Sequence, residues 1–362
     1  MNHARRLRRL RKKLEQDFDG LLIAHLPNVR YLTGFTGSAA ALIVTPNKSL
    51  LFTDGRYTVQ ARAEVQGARV VISRKPALTA AAEWIQNHRG ELGRSLNIGI
   101  ESDHITVEAR DQFKKLLPKG VMLKNAPGFV EQARLLKDED EIACLRNAVL
   151  MGAGLFDTAL KKIRPGVKEV EVAAEMEYAA RCAGAEGMSF ETIIASGERS
   201  ALPHGRASQA TIPSAGFVVC DFGVILSGYC SDMTRTVHVG SPSADARAMY
   251  DAVRQAQQAG AEAVRPGTTV GEVDEATRRV LQKAGFGRFF THSTGHGVGI
   301  EIHEPPRVAS GRNEVLQPGM VITIEPGAYI PGKWGVRIED MVVVTERGCE
   351  VLTPTGKELI SL

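Results

Sequence analysis

Two hydrophobic periods alternate through the first third of the chain. Leu7, Leu10, Leu14 and Phe18 fall three or four residues apart, the spacing of one apolar helix stripe. After Gly20 the pattern tightens to the continuous run Leu21-Leu22-Ile23, as in a buried strand. Further short apolar runs predict strands over Leu21–Ala24, Ala40–Val44, Leu50–Phe52, Val70–Ser73 and Ile98–Ile100. The intervening stretches Val59–Val65, Ala77–Asn87 and Val107–Leu117 carry helical periodicity. That alternation predicts a first domain of α/β type. The pattern breaks at Ala126-Pro127-Gly128, and a charged helix then begins near Gln132, running through Lys137-Asp138-Glu139-Asp140-Glu141. The break predicts a domain boundary, with one domain over residues 1–127 and a second over residues 128–362.

The second part contains an internal echo. Arg164-Pro165-Gly166 recurs as Arg265-Pro266-Gly267, Glu171-Val172 as Glu272-Val273, and Ala183-Gly184 as Ala284-Gly285, all at an offset of 101. Each copy reads as a loop, a helix and a glycine that ends it. Asp221-Phe222-Gly223 before Asp232 is then echoed by Glu325-Pro326-Gly327 before Glu339. Two such halves predict an α+β domain duplicated about a pseudo-two-fold axis.

Composition adds limits rather than direction. With 362 residues, 43% apolar and 24% charged, the chain is an ordinary globular sequence too long for one core. The net charge of +4 looks mildly basic, but Met1–Lys13 alone holds five Arg and two Lys and no acid, which leaves −3 for the rest. The body of the protein therefore has no composition that asks for nucleic acid. The basic start lacks the apolar segment of a secretory signal and is read as a structural helix, an Arg-rich transit peptide being the alternative. No apolar run is long enough to span a membrane. Cys144, Cys182, Cys220, Cys230 and Cys349 are scattered and form no C-x-x-C pair, which argues against a disulfide framework or thiolate zinc site and for a reducing, cytoplasmic compartment.

The candidate chemistry lies in acids set within apolar strands. Asp221 ends Phe217-Val218-Val219-Cys220 and Asp232 follows Tyr229-Cys230-Ser231, eleven residues on, a spacing that suits a hairpin. Glu325 ends Val321-Ile322-Thr323-Ile324 and Glu339 ends Val336-Arg337-Ile338, fourteen residues on. Each such acid costs several kcal/mol if buried and unpaired. Shared metal ions remove that cost, and carboxylates with one imidazole suit divalent Mn, Co or Zn. An imidazole is available in Thr291-His292-Ser293-Thr294-Gly295-His296-Gly297-Val298-Gly299, with His303 seven residues after His296. The glycines exclude a helical His pair here, and His303-Glu304-Pro305-Pro306-Arg307 does not complete H-E-x-x-H.

The ordered set Asp221, Asp232, His296, Glu325 and Glu339, with G-H-G-V-G, I-E-P-G and V-R-I-E-D around the last three, resembles the pita-bread metallopeptidases. That family comprises aminopeptidase P, prolidase and methionine aminopeptidase, with creatinase as a metal-free relative. Asn28–Ser38 and Thr53-Asp54-Gly55-Arg56-Tyr57 resemble the creatinase-type N-terminal domain of its proline-directed branch. The resemblance implies an α/β creatinase-type domain followed by an α+β pita-bread domain.

It also implies two divalent ions, Mn first and Co or Zn as alternatives. One would be held by Asp221, Asp232 and Glu339, the other by Asp232, His296, Glu325 and Glu339, with a bridging water attacking the scissile carbonyl. By the same resemblance Glu325 is the proton shuttle and His303 a hydrogen-bond donor to the carbonyl oxygen, while His292 and His204 line the proline pocket. Arg337 either orients ligand carboxylates or holds a substrate carboxylate. His238 is read as structural, and Cys230 and Tyr329, each placed where it could reach the site, are read as packing residues in preference.

The resemblance points to an Xaa-Pro aminopeptidase acting on peptides with proline at the second position, with an Xaa-Pro dipeptidase as the alternative. It also implies a homodimer whose first domain covers the cleft or builds the interface. Methionine aminopeptidase is disfavoured by the Glu–Glu spacing and the extra domain. A non-peptidase or binding protein of the creatinase fold is the alternative of another class, and all five ligands being present weighs against it. Asp221-Phe222-Gly223 lacks any companion kinase motif and is a chance match.

Overall fold

The structure is a computed structural model describing residues 1–14, 17–89 and 96–362. It divides into two compact units, Met1–Arg134 and Leu135–Leu362. The division falls beyond Ala126-Pro127-Gly128, because Phe129, Val130 and Arg134 are buried and Arg134 Nη1 donates to Asn28 Oδ1 of the first unit at 2.7 Å.

In the first unit six strands form one mixed sheet in the order Arg69–Ser73, Ser49–Asp54, Ala41–Val44, Gly20–Ile23, Leu96–Ile100, Val121–Asn125. The central strands Gly20–Ile23 and Ala41–Val44 are buried throughout, which is why they read as continuous apolar runs rather than alternating ones. Leu22, Ile43, Phe52, Ile98 and Ile100 share a core with Ala81 and Ile85 of the helix Ala77–Asn87 and Phe113 of the helix Val107–Leu116. The first helix, His3–Leu14, buries Leu7, Leu10 and Leu14 as the periodicity predicts. It also buries Arg6, whose guanidinium lies 4.4 Å from the Tyr31 ring and donates to the Tyr31 carbonyl, so its basic character is only partly a surface property. Two elements were not anticipated: the helix Leu26–Thr33, started by Pro27 and stopped by left-handed Gly34, and the largely exposed edge strand Val121–Asn125.

The second unit is built twice over. A helix pair, Glu139–Lys162 and Glu169–Cys182, precedes the antiparallel strands Ile193–Ser196, Gly216–Phe222 and Met233–Val239. A second pair, Ala244–Ala263 and Val270–Lys283, precedes Gly295–Gly297, Val321–Ile324 and Asp340–Val344. The echoed glycines take matching left-handed conformations, φ 83° at Gly166 and 87° at Gly267, then 95° at Gly184 and 82° at Gly285. Even a loop contact repeats: Gly166 N donates to Ile212 O and Gly267 N to Leu316 O. The charged helix expected near Gln132 is two elements, Glu131–Arg134 and Glu139–Lys162. The second begins at Asp138, which forms a reciprocal capping box with Glu141. No helix among the described residues is long and apolar enough to cross a membrane.

Candidate metal centre

The duplicated strands carry the acids to one place. Asp221 lies on Gly216–Phe222 directly opposite Thr234 of Met233–Val239, and Asp232 stands just before that second strand. In the other half Glu325 follows Val321–Ile324, and Glu339 lies between Trp334–Arg337 and Asp340–Val344. Thr234 joins the halves: its Oγ1 donates to Glu339 Oε2 at 2.8 Å, and its carbonyl accepts from Glu339 N at 3.1 Å.

His296 completes the cluster. Its strand packs so tightly that a side chain at Gly295 would lie 1.9 Å from the Thr323 carbonyl oxygen, and one at Gly297 2.1 Å from that of Pro305. Only glycine permits this approach, which explains the G-H-G pattern. His296 Nδ1 lies 3.0 Å from the Gly297 carbonyl and donates to it, which leaves Nε2 as a bare lone pair. That nitrogen faces Asp232 Oδ2 and Glu325 Oε1, each at 3.6 Å. Ligand atoms of Asp232, His296 and Glu339 all lie within 4.8 Å of one another.

The electrostatics of this arrangement call for a cation. Asp221, Asp232 and Glu339 are 8%, 5% and 2% exposed, so solvent does little to separate them. Burial, then the charges of Glu339, Asp221 and Glu325, push the Asp232 carboxyl well above its usual range. Burial and the neighbouring Glu325 and Asp221 do the same to Glu339. Burial raises Glu325 to about 8. The same burial lowers His296 to about 4, so the imidazole is neutral as a ligand must be. Among the described residues no donor reaches the buried Oδ1 of Asp221 or Oε1 of Glu339. Orphaned acceptors, an unprotonated imidazole nitrogen and several carboxylates at one point fit divalent ions bound through oxygen and nitrogen.

The remaining predicted residues surround the same cavity of about 900 Å³, lined by His204, His292 and His303 as well as the four acids and the imidazole above. The His303 ring stands 4.4 Å from that of His296. His292 is tied through Nε2 to the Tyr329 hydroxyl at 2.9 Å. Burial first, then the positive charge of Arg337, lowers it to about 4. Arg337 is 3% exposed and fully engaged: Nη2 donates to Asp221 Oδ2 at 2.5 Å, Nη1 to the Tyr329 hydroxyl at 2.7 Å, and Nε to Thr234 Oγ1 at 3.1 Å. Burial opposes its charge, but Tyr329, Asp221 and Glu325 more than offset this and raise it well above its ordinary value. A guanidinium so committed orients Asp221. His238 bonds the Gly240 carbonyl away from the site.

Two site residues escape the sequence reading. Tyr329, read there as packing, links His292 to Arg337; its position on a strand paired to Trp334–Arg337 is the missing signal. Arg307 faces His296 across the pair of strands Gly295–Gly297 and Glu304–Val308, so its side chain shares the face of that imidazole and lines the cavity. It is exposed, and among the described residues it makes no salt bridge. Glu304–Val308 alternates buried and exposed positions with Arg307 exposed, but Glu-Pro-Pro-Arg-Val shows no such alternation in residue type, so the sequence carries no signal for it.

Comparison with known proteins identifies the family. Residues 143–346 match the model of metallopeptidase family M24, and residues 6–136 match the creatinase/prolidase N-terminal domain. The Xaa-Pro dipeptidase of Pyrococcus horikoshii is 38% identical over 347 residues, 96% of this chain and 95% of that protein. A solved Xaa-Pro dipeptidase from Bacillus anthracis superposes with a TM-score of 0.95 at 40% identity, covering 100% of both chains. An X-Pro aminopeptidase from Thermotoga maritima superposes with a TM-score of 0.89 at 33% identity, over 97% of this chain and 100% of that one. The chain belongs to metallopeptidase family M24, with a creatinase-type domain ahead of a pita-bread domain.

Proposed function

We propose that this metallopeptidase is an Xaa-Pro dipeptidase working with two divalent ions. The expectation of an aminopeptidase gives way to the alternative on two grounds. Two of the relatives named above are Xaa-Pro dipeptidases. The observation that carries the reading is Arg307, an exposed guanidinium on the ligand-bearing sheet face without a carboxylate partner. A dipeptide substrate brings a free carboxylate within a few ångströms of its scissile bond, and a guanidinium on the cavity wall is matched to it. A longer peptide has an amide there instead.

Asp221, Asp232 and Glu339 are the proposed ligands of one ion, and Asp232, His296, Glu325 and Glu339 those of the other, Mn first and Co or Zn as alternatives. Bound there, the pair would supply Lewis acidity and lower the pKa of water to near neutrality. The chain's own groups do the rest. Arg337 donates to Asp221 and holds it aimed inward, and Thr234 fixes Glu339. Glu325, which lines the cavity, takes a proton from the attacking water and returns it to the proline nitrogen as the C–N bond breaks. His303 has its basicity lowered, by burial first, and as a neutral imidazole donates to the carbonyl oxygen as charge grows there. His292 and His204 shape the wall around the proline ring, with Phe190 and Ile302 as its apolar part.

The test is a substrate panel on Mn-loaded enzyme: Ala-Pro, Ala-Pro-amide, Ala-Pro-Ala-Ala and Met-Ala-Ser. Cleavage of Ala-Pro far ahead of the others is expected. Preference for Ala-Pro-Ala-Ala returns the assignment to an aminopeptidase, and cleavage of Met-Ala-Ser alone sinks the proline reading.

A further inference from the structure

The first unit, apart from the catalytic cluster, gathers a second set of metal-ligating side chains. His25 precedes the helix Leu26–Thr33, His104 lies in the turn after the strand Leu96–Ile100, and Glu131 opens the short helix Glu131–Arg134. Their rings and carboxylate meet: the two imidazoles stack with centroids 3.6 Å apart and planes 12° apart. His104 Nε2 lies 3.0 Å from Glu131 Oε1, and one ligand atom from each residue falls within a common 4.8 Å. The other carboxylate oxygen, Glu131 Oε2, is buried and meets no donor among the described residues.

One residue behind this set positions all of it. Glu101 is 3% exposed, and its Oε2 accepts from the backbone N–H of Ala24 at 2.7 Å and of His25 at 2.8 Å. Its own carbonyl accepts from the backbone N–H of His104 at 3.0 Å. Its Oε1 accepts from Asn28 Nδ2, which also donates to Glu131 Oε1. Such outer partners fix ligand orientation in built metal sites. A stacked imidazole pair by itself needs neither the buried orphan oxygen nor this scaffold.

We propose that His25, His104 and Glu131 form a divalent-metal site in the first unit, selective for a borderline cation of the Zn²⁺ class. Two imidazoles and one carboxylate suit that class better than Mg²⁺ or Ca²⁺, which take oxygen. Zn–N and Zn–O bonds of about 2.0–2.2 Å place tetrahedral ligand atoms about 3.3 Å apart, so the 4.8 Å spread closes by at most about 1.5 Å as the two imidazoles turn out of their stack to aim at one point. The His104 side chain is 26% exposed and that of Glu131 12%, leaving a path for the ion and a fourth position for water. Asp103 Oδ2, 3.9 Å from His104 Nε2, stands beside that position.

The experiment separates this site from the catalytic one. In the full chain carrying Asp232→Asn, His296→Ala and Glu339→Gln, equilibrium dialysis against micromolar Zn²⁺ should leave one Zn per chain. Adding His104→Gln, which can still hydrogen-bond Glu131, should abolish it, and Glu131→Gln should weaken it beyond the roughly 10–100-fold typical of losing an outer partner. In otherwise wild-type protein His104→Gln should lower bound Zn by one per chain while Mn-dependent activity persists. No Zn bound in the first background, or binding unchanged by His104→Gln in either, overturns the proposal.

Discussion

Glu101 and Glu325 look alike in sequence, each an acid closing an apolar strand, Ile98-Gly99-Ile100-Glu101 and Val321-Ile322-Thr323-Ile324-Glu325. The structure gives them opposite company. Glu101 meets donors: two backbone N–H groups and the Asn28 amide reach its oxygens. Glu325 meets a lone-pair nitrogen and stands in the field of Asp221, Asp232 and Glu339. A buried acid surrounded by donors is part of the scaffold, whereas one surrounded by other acceptors is incomplete without a cation.

Four changes sharpen that contrast. The largest effect belongs to Asp232→Asn, which removes the carboxylate proposed to serve both ions. The loss of kcat/KM on Ala-Pro should reach at least about 10³-fold, no less than that of a single oxyanion donor. Steady-state kinetics at saturating Mn check it, with circular dichroism showing a native fold. Glu101→Ala comes next and acts on stability: stranding three donors should cost about 3 kcal/mol in the first unit, read as a lower urea midpoint. Third, Mn at a hundredfold excess over its Kd should stabilise the second unit by about 2.7 kcal/mol, visible as a rise in its melting temperature, and Asp232→Asn with Glu339→Gln should remove that rise. The smallest is Arg307→Gln, which should raise KM for Ala-Pro about tenfold or more, as for a lost charge-assisted bond, while Ala-Pro-amide is little affected.

The contrast also has a pH signature. Burial outweighs the three donors and raises the Glu101 carboxyl above its unfolded value. A raised carboxyl contributes stability that is full below the unfolded pKa of about 4.3 and fades as pH rises through the folded value. Denaturation of the first unit across pH 4–8 should therefore show a decline that Glu101→Gln flattens.

What the sequence carried was what is local or repeated. The helical stripe of Leu7, Leu10 and Leu14, the buried central strands and the duplicated turns at Gly166 and Gly267 were legible because each follows from periodicity or a turn residue. The clustered acids were legible because all four interrupt or end apolar strands. The helix Leu26–Thr33 was not, being only eight residues long with Val29 and Leu32 as its short stripe, nor was the exposed strand Val121–Asn125. Arg337 shows a further limit: sequence left it between ligand and substrate, and only its four bonded partners tie it to Asp221. His25, His104 and Glu131 are far apart in the chain, so no spacing rule could join them.

The most direct measurement is a titration of exhaustively chelated protein with Mn²⁺, following Ala-Pro hydrolysis. The account predicts negligible activity at the start and a rise that saturates at two equivalents per chain. Full activity before any metal is added, or an unchanged titration in Asp232→Asn, would contradict it.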